Sequence, residues 1–312
     1  MMQPFETYLQ GKGLSYATIK EYGRHVALFT AWYGGDDMIN CEKKDILEYL
    51  NHLNNRGVKV DTRYVALLSL RHYFNALTNE NLTASNPTAL IKLRGLYKRR
   101  LLHIYTPEEL TELVDAYYLL CVKNAEENLT LKANHNMTVK SYFAQLRNYT
   151  MLQFFAYQGL STKEVINLQV SDIQLQKAVV SIPEGTQTGN ARTLPLHATQ
   201  IGVIIQYLQD IRPYLVDADG SLLFLPVMRA VWSQADNGKK TLENLLYNLK
   251  RIDRNFTNFP QLRASVITSW IKACGLRKAQ YMAGHRDIST TERYLPNCIE
   301  DLAEDMTRFN PF

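Results

Sequence analysis

A chain of 312 residues with 46% apolar side chains exceeds one average domain and has enough apolar material for two cores of unequal size. There is no run of about eighteen uncharged apolar residues, and Met1-Met2-Gln3-Pro4-Phe5-Glu6 lacks the basic and apolar regions of an export leader, so a soluble, cytoplasmic protein is expected rather than one at a membrane. The net charge of +5 is uneven: residues 1–105 carry 14 Lys and Arg against 9 Asp and Glu, residues 106–312 carry 21 against 21, and the first third is therefore either a surface for a polyanion or a solvated basic helical face.

From Phe5 to about Glu80 apolar residues recur at three and four residue intervals, which predicts four helices. They are separated at Gly11-Lys12-Gly13, Gly34-Gly35-Asp36-Asp37 and Asn54-Asn55-Arg56-Gly57. Ser15 is the expected N-cap of a helix carrying Ile19, Tyr22, Val26 and Phe29, and Asp61-Thr62 the expected start of one carrying Val65, Leu68, Tyr73 and Leu77. The polar face of the latter holds Arg63, Arg71 and His72. Asn86-Pro87 closes this helical unit, assigned to residues 1–86. Residues 87–105 read as a linker whose cations include Arg94, Lys98, Arg99 and Arg100.

The remainder, 106–312, is expected to form a second domain. Thr106-Pro107-Glu108-Glu109-Leu110 restarts helix, with Thr106 as N-cap, Pro107 at the first helical position and acids in the first turn. Lys123 to about Lys140 reads as a loop or a partly helical insertion. Helix returns from Ser141 to Tyr157, and a small three-stranded sheet is expected near Ile173, over Ala178 to Ile182 and over Arg192 to Leu196, with polar, glycine-bearing turns. Helices follow over Gln200–Tyr214, Thr241–Asp253 and Gln261–Ala273, so the fold class is mainly α with a small antiparallel β-sheet. Cys41, Cys121, Cys274 and Cys298 stand far apart, which suggests neither a metal knuckle nor a disulfide framework.

The densest chemistry lies near the end: Arg263, then Gly284-His285, Thr290-Thr291 and Tyr294, with Arg286 and Arg293 flanking. A phenol, an imidazole and a guanidinium are the groups that nucleophilic attack on a phosphodiester requires. The bland reading makes Gly284-His285 a helix stop and Tyr294 a packed tyrosine. The ordered set resembles the tyrosine-type site-specific DNA recombinases, the phage integrase and Xer family, in which a Gly-His pair, a Thr-Thr step and a tyrosine nine residues after the histidine follow a His-x-Leu-Arg box. Tyr8-Leu9, Thr18-Ile19 and Tyr22 are similar to the opening of that family's helical core-binding domain.

What the resemblance implies is specific. Tyr294 is the expected nucleophile, Arg263 the phosphate-binding guanidinium and His285 a hydrogen-bond donor or proton-transfer aid, with neither metal nor ATP needed. Double-stranded DNA is the implied partner. Self-association into a tetrameric synapse, and a partner recombinase, are implied with it. Arg63, Arg71, Lys98, Arg99, Arg100, Arg286 and Arg293 become candidate DNA contacts, and the segment Leu295–Phe312, with Ile299, Leu302 and Met306 at helical spacing, resembles the family's terminal helix.

Three positions depart from the pattern. Ser161 stands where a first arginine belongs in Gly159-Leu160-Ser161, Gln187 is nearest to the sheet-turn lysine, and Pro260 replaces the histidine before Gln261-Leu262-Arg263. Losing one transition-state donor typically lowers a rate by on the order of 10²- to 10³-fold. Lys163, Arg147 and Arg192 are candidate replacement cations, and Glu164 and Asp172 are read as structural. The sequence therefore predicts a site-specific recombinase or integrase of a mobile genetic element, with a catalytically impaired, architectural DNA-binding descendant as the alternative.

Overall fold

A computed structural model describes residues 2–34, 38–94, 103–130, 135–185, 189–215, 220–225 and 234–296, with backbone alone at 2–3, 124–130, 135–140 and 234–237. The chain divides into two compact units, Met1–Arg100 and Leu101–Phe312.

The first unit holds α1 (Met2–Gly11), α2 (Tyr16–Tyr33), α3 (Lys43–Asn55) and α4 (Val60–Asn79). Ser15 caps α2, its hydroxyl accepting from the Thr18 amide, and Gly34 closes that helix in the left-handed conformation. α4 begins at Val60 after Lys59, ahead of the expected Asp61-Thr62 start, and no side chain caps it; Asp61 instead lies in the first turn, where a carboxylate complements the helix dipole. Aromatic rings fill the core: Phe29 meets Tyr49 edge-on at 5.0 Å and Phe5 meets Tyr73 at 5.3 Å.

Residues 87–94, the start of the expected linker, pack on this unit. Asn86 donates to the Arg71 carbonyl and to Asn75 Oδ1 and accepts from the Thr88 amide and hydroxyl. Arg71 Nη2 donates to the carbonyls of Ile91 (2.9 Å) and Thr88 (3.3 Å), and Ile91 enters the core.

In the second unit Thr106 and Glu109 form a reciprocal capping box that starts α5 (Pro107–Thr130). α6 runs from His135 to Gln158, so helix occupies most of the stretch expected as a loop or a partly helical insertion, residues 131–134 lying outside the described residues. After α7 (Thr162–Asn167) come β1 (Ile173–Gln174), β2 (Val179–Ile182) and β3 (Arg192–Pro195), antiparallel in the order β1-β2-β3. Register pairs Val180 with Leu194 and Ile182 with Arg192. Because strand side chains alternate, Arg192 shares the buried face with Leu194.

α8 (Ala198–Gln206) is shorter than the helix expected to reach Tyr214, the chain widening into a π-type turn at Tyr207–Ile211. α9 (Gln234–Ile252) starts earlier than Thr241. α10 (Phe259–Ala283) passes the expected end at Ala273 through a break at Gly275, whose φ of 79° no ordinary helical residue adopts. α11 (Ile288–Glu292) follows. Tyr117, Tyr207 and a stacked Phe155–Phe259 pair at 4.6 Å anchor the core beneath these elements. From 297 onward the expected terminal helix lies outside the described residues.

Candidate active site

Two arginines and one carboxylate make the floor of the site. Asn258 caps α10, accepting from the Gln261 amide, with Pro260 in the first turn, and this places Arg263 one turn further in. Arg263 Nη1 donates to the Gly159 carbonyl at 2.6 Å and lies 3.4 Å from Glu164 Oε2, while Nη2 donates to the Ala283 carbonyl at 2.7 Å. Glu164 is aimed by its place in α7: its carboxylate accepts from the Ser161 amide at 2.6 Å, and the Ser161 hydroxyl accepts from the Glu164 amide. The other carboxylate oxygen, Oε1, lies 2.7 Å from Arg192 Nη2, and the Arg192 side chain is 1% exposed. Burial raises the Glu164 pKa, but the charges of Arg192 and Arg263 outweigh it and hold the group below the usual carboxylate range. Two guanidinium charges against one carboxylate leave one net positive charge here.

Arg192 fits because position 284 is glycine. Gly284 ends α10 with φ at 72°, and a Cβ built there would stand 2.9 Å from Arg192 Cζ and 3.3 Å from its Cδ. The same residue fastens the sheet to the following loop, its carbonyl accepting from the Asn190 amide at 2.9 Å.

His285 comes next, buried at 8% exposure. Its Nδ1 is 2.9 Å from Thr291 Oγ1 and its Nε2 is 3.4 Å from Arg263 Nη2. Burial first, then Arg263 and Arg192, push its pKa down to about 4, so the imidazole is neutral at physiological pH. Half-buried Tyr294 lies against it, the rings 6.0 Å apart and within 6° of parallel, and the Tyr294 amide donates to the Thr291 carbonyl at 3.0 Å. A phenol, a neutral imidazole and a net positive floor are thus assembled together, and positive charge of this kind favours a phosphate oxyanion.

The structure sorts the other expected residues. Ser161 is a helix cap, and Pro260 opens α10. Gln261, beside it, is buried and fully used, donating to the His103 and Asn255 carbonyls and accepting from the Thr257 amide and hydroxyl. Arg192 joins the site; Lys163 is exposed on α7. Arg147 is corrected as a replacement cation: its guanidinium turns into the core, donating to the Leu225 carbonyl at 2.8 Å and to Asn148 Oδ1 at 2.9 and 3.2 Å. Arg71, a candidate DNA contact, is partly buried and its Nη2 donates to the carbonyls of Thr88 and Ile91. Arg63 is partly buried, Arg293 is exposed, and Arg286 pairs with Glu184 at 3.2 Å and reaches the Gly185 carbonyl. Gln187, Lys98, Arg99 and Arg100 lie outside the described residues. Glu164, read from the sequence as structural, is the residue that reading undervalued; nothing in the sequence links it to the two arginines it pairs with.

Known proteins resemble this chain in family and in fold. The Phage integrase family matches residues 122–298, and its N-terminal SAM-like domain matches residues 1–84. Tyrosine recombinase XerD of Staphylococcus epidermidis is 27% identical over 308 residues, covering 96% of this chain and 94% of its own. A lambda integrase dimer bound to a COC' core site shares the fold with a TM-score of 0.65 at 14% identity, covering 93% of this chain and 92% of its own. The Tn1549 transposon integrase in complex with a circular intermediate DNA gives 0.65 at 14%, covering 94% of each chain.

Proposed function

The chain belongs to the phage integrase family, and from that premise we propose that it is a site-specific DNA recombinase of a mobile genetic element, working through a 3′-phosphotyrosyl intermediate. Tyr294 Oη attacks the scissile phosphorus, the P–O5′ bond breaks, and a 5′-hydroxyl is released to attack the phosphotyrosine of a partner strand. Each cleavage conserves a phosphoester bond, so rejoining needs no external energy source.

The observation that carries this reading is the convergence of Tyr294, His285 and Arg263 on a floor whose net charge is positive. Arg192 supplies the second guanidinium that Ser161 does not. It rises from β3, is held by Glu164 beside Arg263, and raises the positive potential at the site without occupying the missing arginine's place in the chain. Arg263 binds the phosphate oxygens directly. Double-stranded DNA is the partner, engaged electrostatically by the basic first third of the chain. The mobile-element setting, and assembly of several copies on DNA, are drawn from the transposon and phage integrases that share the fold.

The rival reading is a DNA-binding descendant without strand transfer. Pro260, and the burial of Arg192 under Gly284, favour it. Nicked DNA carrying the element's ends, incubated with the protein and with Tyr294→Phe and run on a denaturing gel, decides between them. A Tyr294-dependent covalent adduct is expected. DNA binding with no adduct, even after related recombinases of the same element are added, would overturn the recombinase reading.

A further inference from the structure

The turn between β2 and β3 is clipped to the loop that carries His285 by an exposed ion pair. Arg286 Nη2 lies 3.2 Å from Glu184 Oε1 and 3.3 Å from the Gly185 carbonyl, and the two side chains are 48% and 65% exposed. The two halves of this clip are held differently. On the loop side, Gln280 Nε2 donates to the carbonyls of His285 and Arg286, at 3.2 Å each, so the main chain beneath Arg286 is fixed whatever its guanidinium does. On the turn side, Gly185 pairs with Gly189 across the turn, and the Asn190 amide donates to the Gly284 carbonyl at 2.9 Å. Both contacts of the clip use one guanidinium nitrogen, and an ion pair this exposed contributes little. A phosphate presents two oxygens side by side to the planar fork of the same guanidinium, which is the stronger geometry.

We propose that Glu184 is an internal stand-in for a DNA phosphate: in the free chain it occupies Arg286, and bound DNA takes its place with a backbone phosphate. This rests on the reading of double-stranded DNA as the partner. Arg286 directly follows His285, so a duplex seated on Tyr294, His285 and Arg263 brings neighbouring phosphates to this stretch of surface. The exchange has two consequences. Binding breaks the pair and leaves the Glu184 carboxylate beside a polyanion, so Glu184 lowers the affinity for a duplex through phosphate contacts that carry no sequence information. Binding also removes the side-chain tie between turn and loop, while Gln280 keeps the loop, and His285 with it, in place. The turn is then fastened to the loop through the Asn190 amide and the Gly284 carbonyl.

Fluorescence anisotropy of a labelled duplex carrying the element's ends, titrated with the full chain at several salt concentrations, reads affinity and its salt slope. Glu184→Gln is expected to tighten binding by about two- to fivefold, the worth of an exposed ion pair, and to keep the wild-type slope, because Arg286 sits on a phosphate in both complexes. Arg286→Gln is expected to weaken binding and to lower the slope of log K against log salt by about one. In the Arg286→Gln background, Glu184→Gln should gain less, since the pair is already gone. Both side chains are exposed, so neither substitution empties a buried contact. A slope steeper by about one in Glu184→Gln, or an unchanged slope in Arg286→Gln, would mean that the pair persists on DNA and would overturn the proposal. Unchanged or weaker affinity in Glu184→Gln overturns it too. Wild-type binding that does not weaken as salt rises overturns the DNA reading itself, and the exchange falls with it.

Discussion

Replacing Gly284 with alanine should damage the second unit through two separable effects. An L-residue held at φ 72° costs about 1–2 kcal/mol in backbone strain. The new Cβ would also stand 2.9 Å from Arg192 Cζ, against a guanidinium that is 1% exposed and paired to Glu164, so the arginine must leave that pair to make room. Breaking one side of a buried ion pair costs about 3–5 kcal/mol, of which partial relaxation recovers some. A total loss of about 4 kcal/mol is expected for Gly284→Ala. In an Arg192→Ala background the collision disappears and the same substitution should cost only the backbone share. Urea unfolding in a Trp32→Phe background leaves Trp232 and Trp270 to report on the second unit, and the four chains of the cycle give the coupling energy directly. A coupling above about 2 kcal/mol is expected. One within about 0.5 kcal/mol of zero would mean that Arg192 does not lie under Gly284, and would remove the argument for its place in the site.

Two further expectations follow from groups whose partners are already internal. Arg71→Met should destabilise the first unit by about 2 kcal/mol, since two carbonyls lose a charged donor, yet leave the salt dependence of DNA affinity unchanged; a drop of about one in the slope of log K against log salt would put Arg71 on a phosphate. The second concerns acid. His285 is neutral in the folded chain, with its pKa lowered to about 4 from 6.5, so the unfolded chain binds the extra proton first and the stability present above about pH 6.5 is lost as pH falls toward 4. Between about pH 7 and pH 5 that amounts to roughly 2 kcal/mol, and His285→Gln should flatten the stability profile by that amount. Burial lowers the pKa of His25 in the first unit as well, so the second unit's transition must be read separately. An unaltered profile in His285→Gln would refute the shift.

Much of the fold was legible because local rules sufficed. The glycine-bearing breaks marked the helix ends of the first unit, Ser15 and Thr106 named their caps, and polar, glycine-bearing turns marked the sheet. The errors have physical causes. Helix α6 begins before the expected Ser141, in a stretch left open between a loop and a partly helical insertion because its amphipathic pattern is weak, and a glycine inside α10 bends that helix without ending it. The site was legible as far as spacing could carry it, to Arg263, His285 and Tyr294. Of the three candidate cations named beside Ser161, Arg192 lies on a strand thirty-one positions later. Alternation places Arg192 inward with Leu194, but only the fold brings it to Glu164. Arg147 has the same charge and lies nearer to Ser161 along the chain, but its helix face turns it into the core. Thr291 was part of the recognised motif, yet nothing in the spacing distinguishes a hydroxyl bonded to an imidazole from one facing water.

The clasp around Arg71 sets where the first unit ends as a cooperative object. Helical periodicity stops at Asn79 and the SAM-like match stops at residue 84, but α4 reaches past both to hold Asn86, Thr88 and Ile91. A fragment cut at 84 or 86 would keep every helix and still leave an open slot where Ile91 sits, together with a partly buried guanidinium stripped of its acceptors. The covalent length needed for independent folding therefore exceeds the length that carries the secondary structure, and an expressible fragment of this unit runs at least to Leu93.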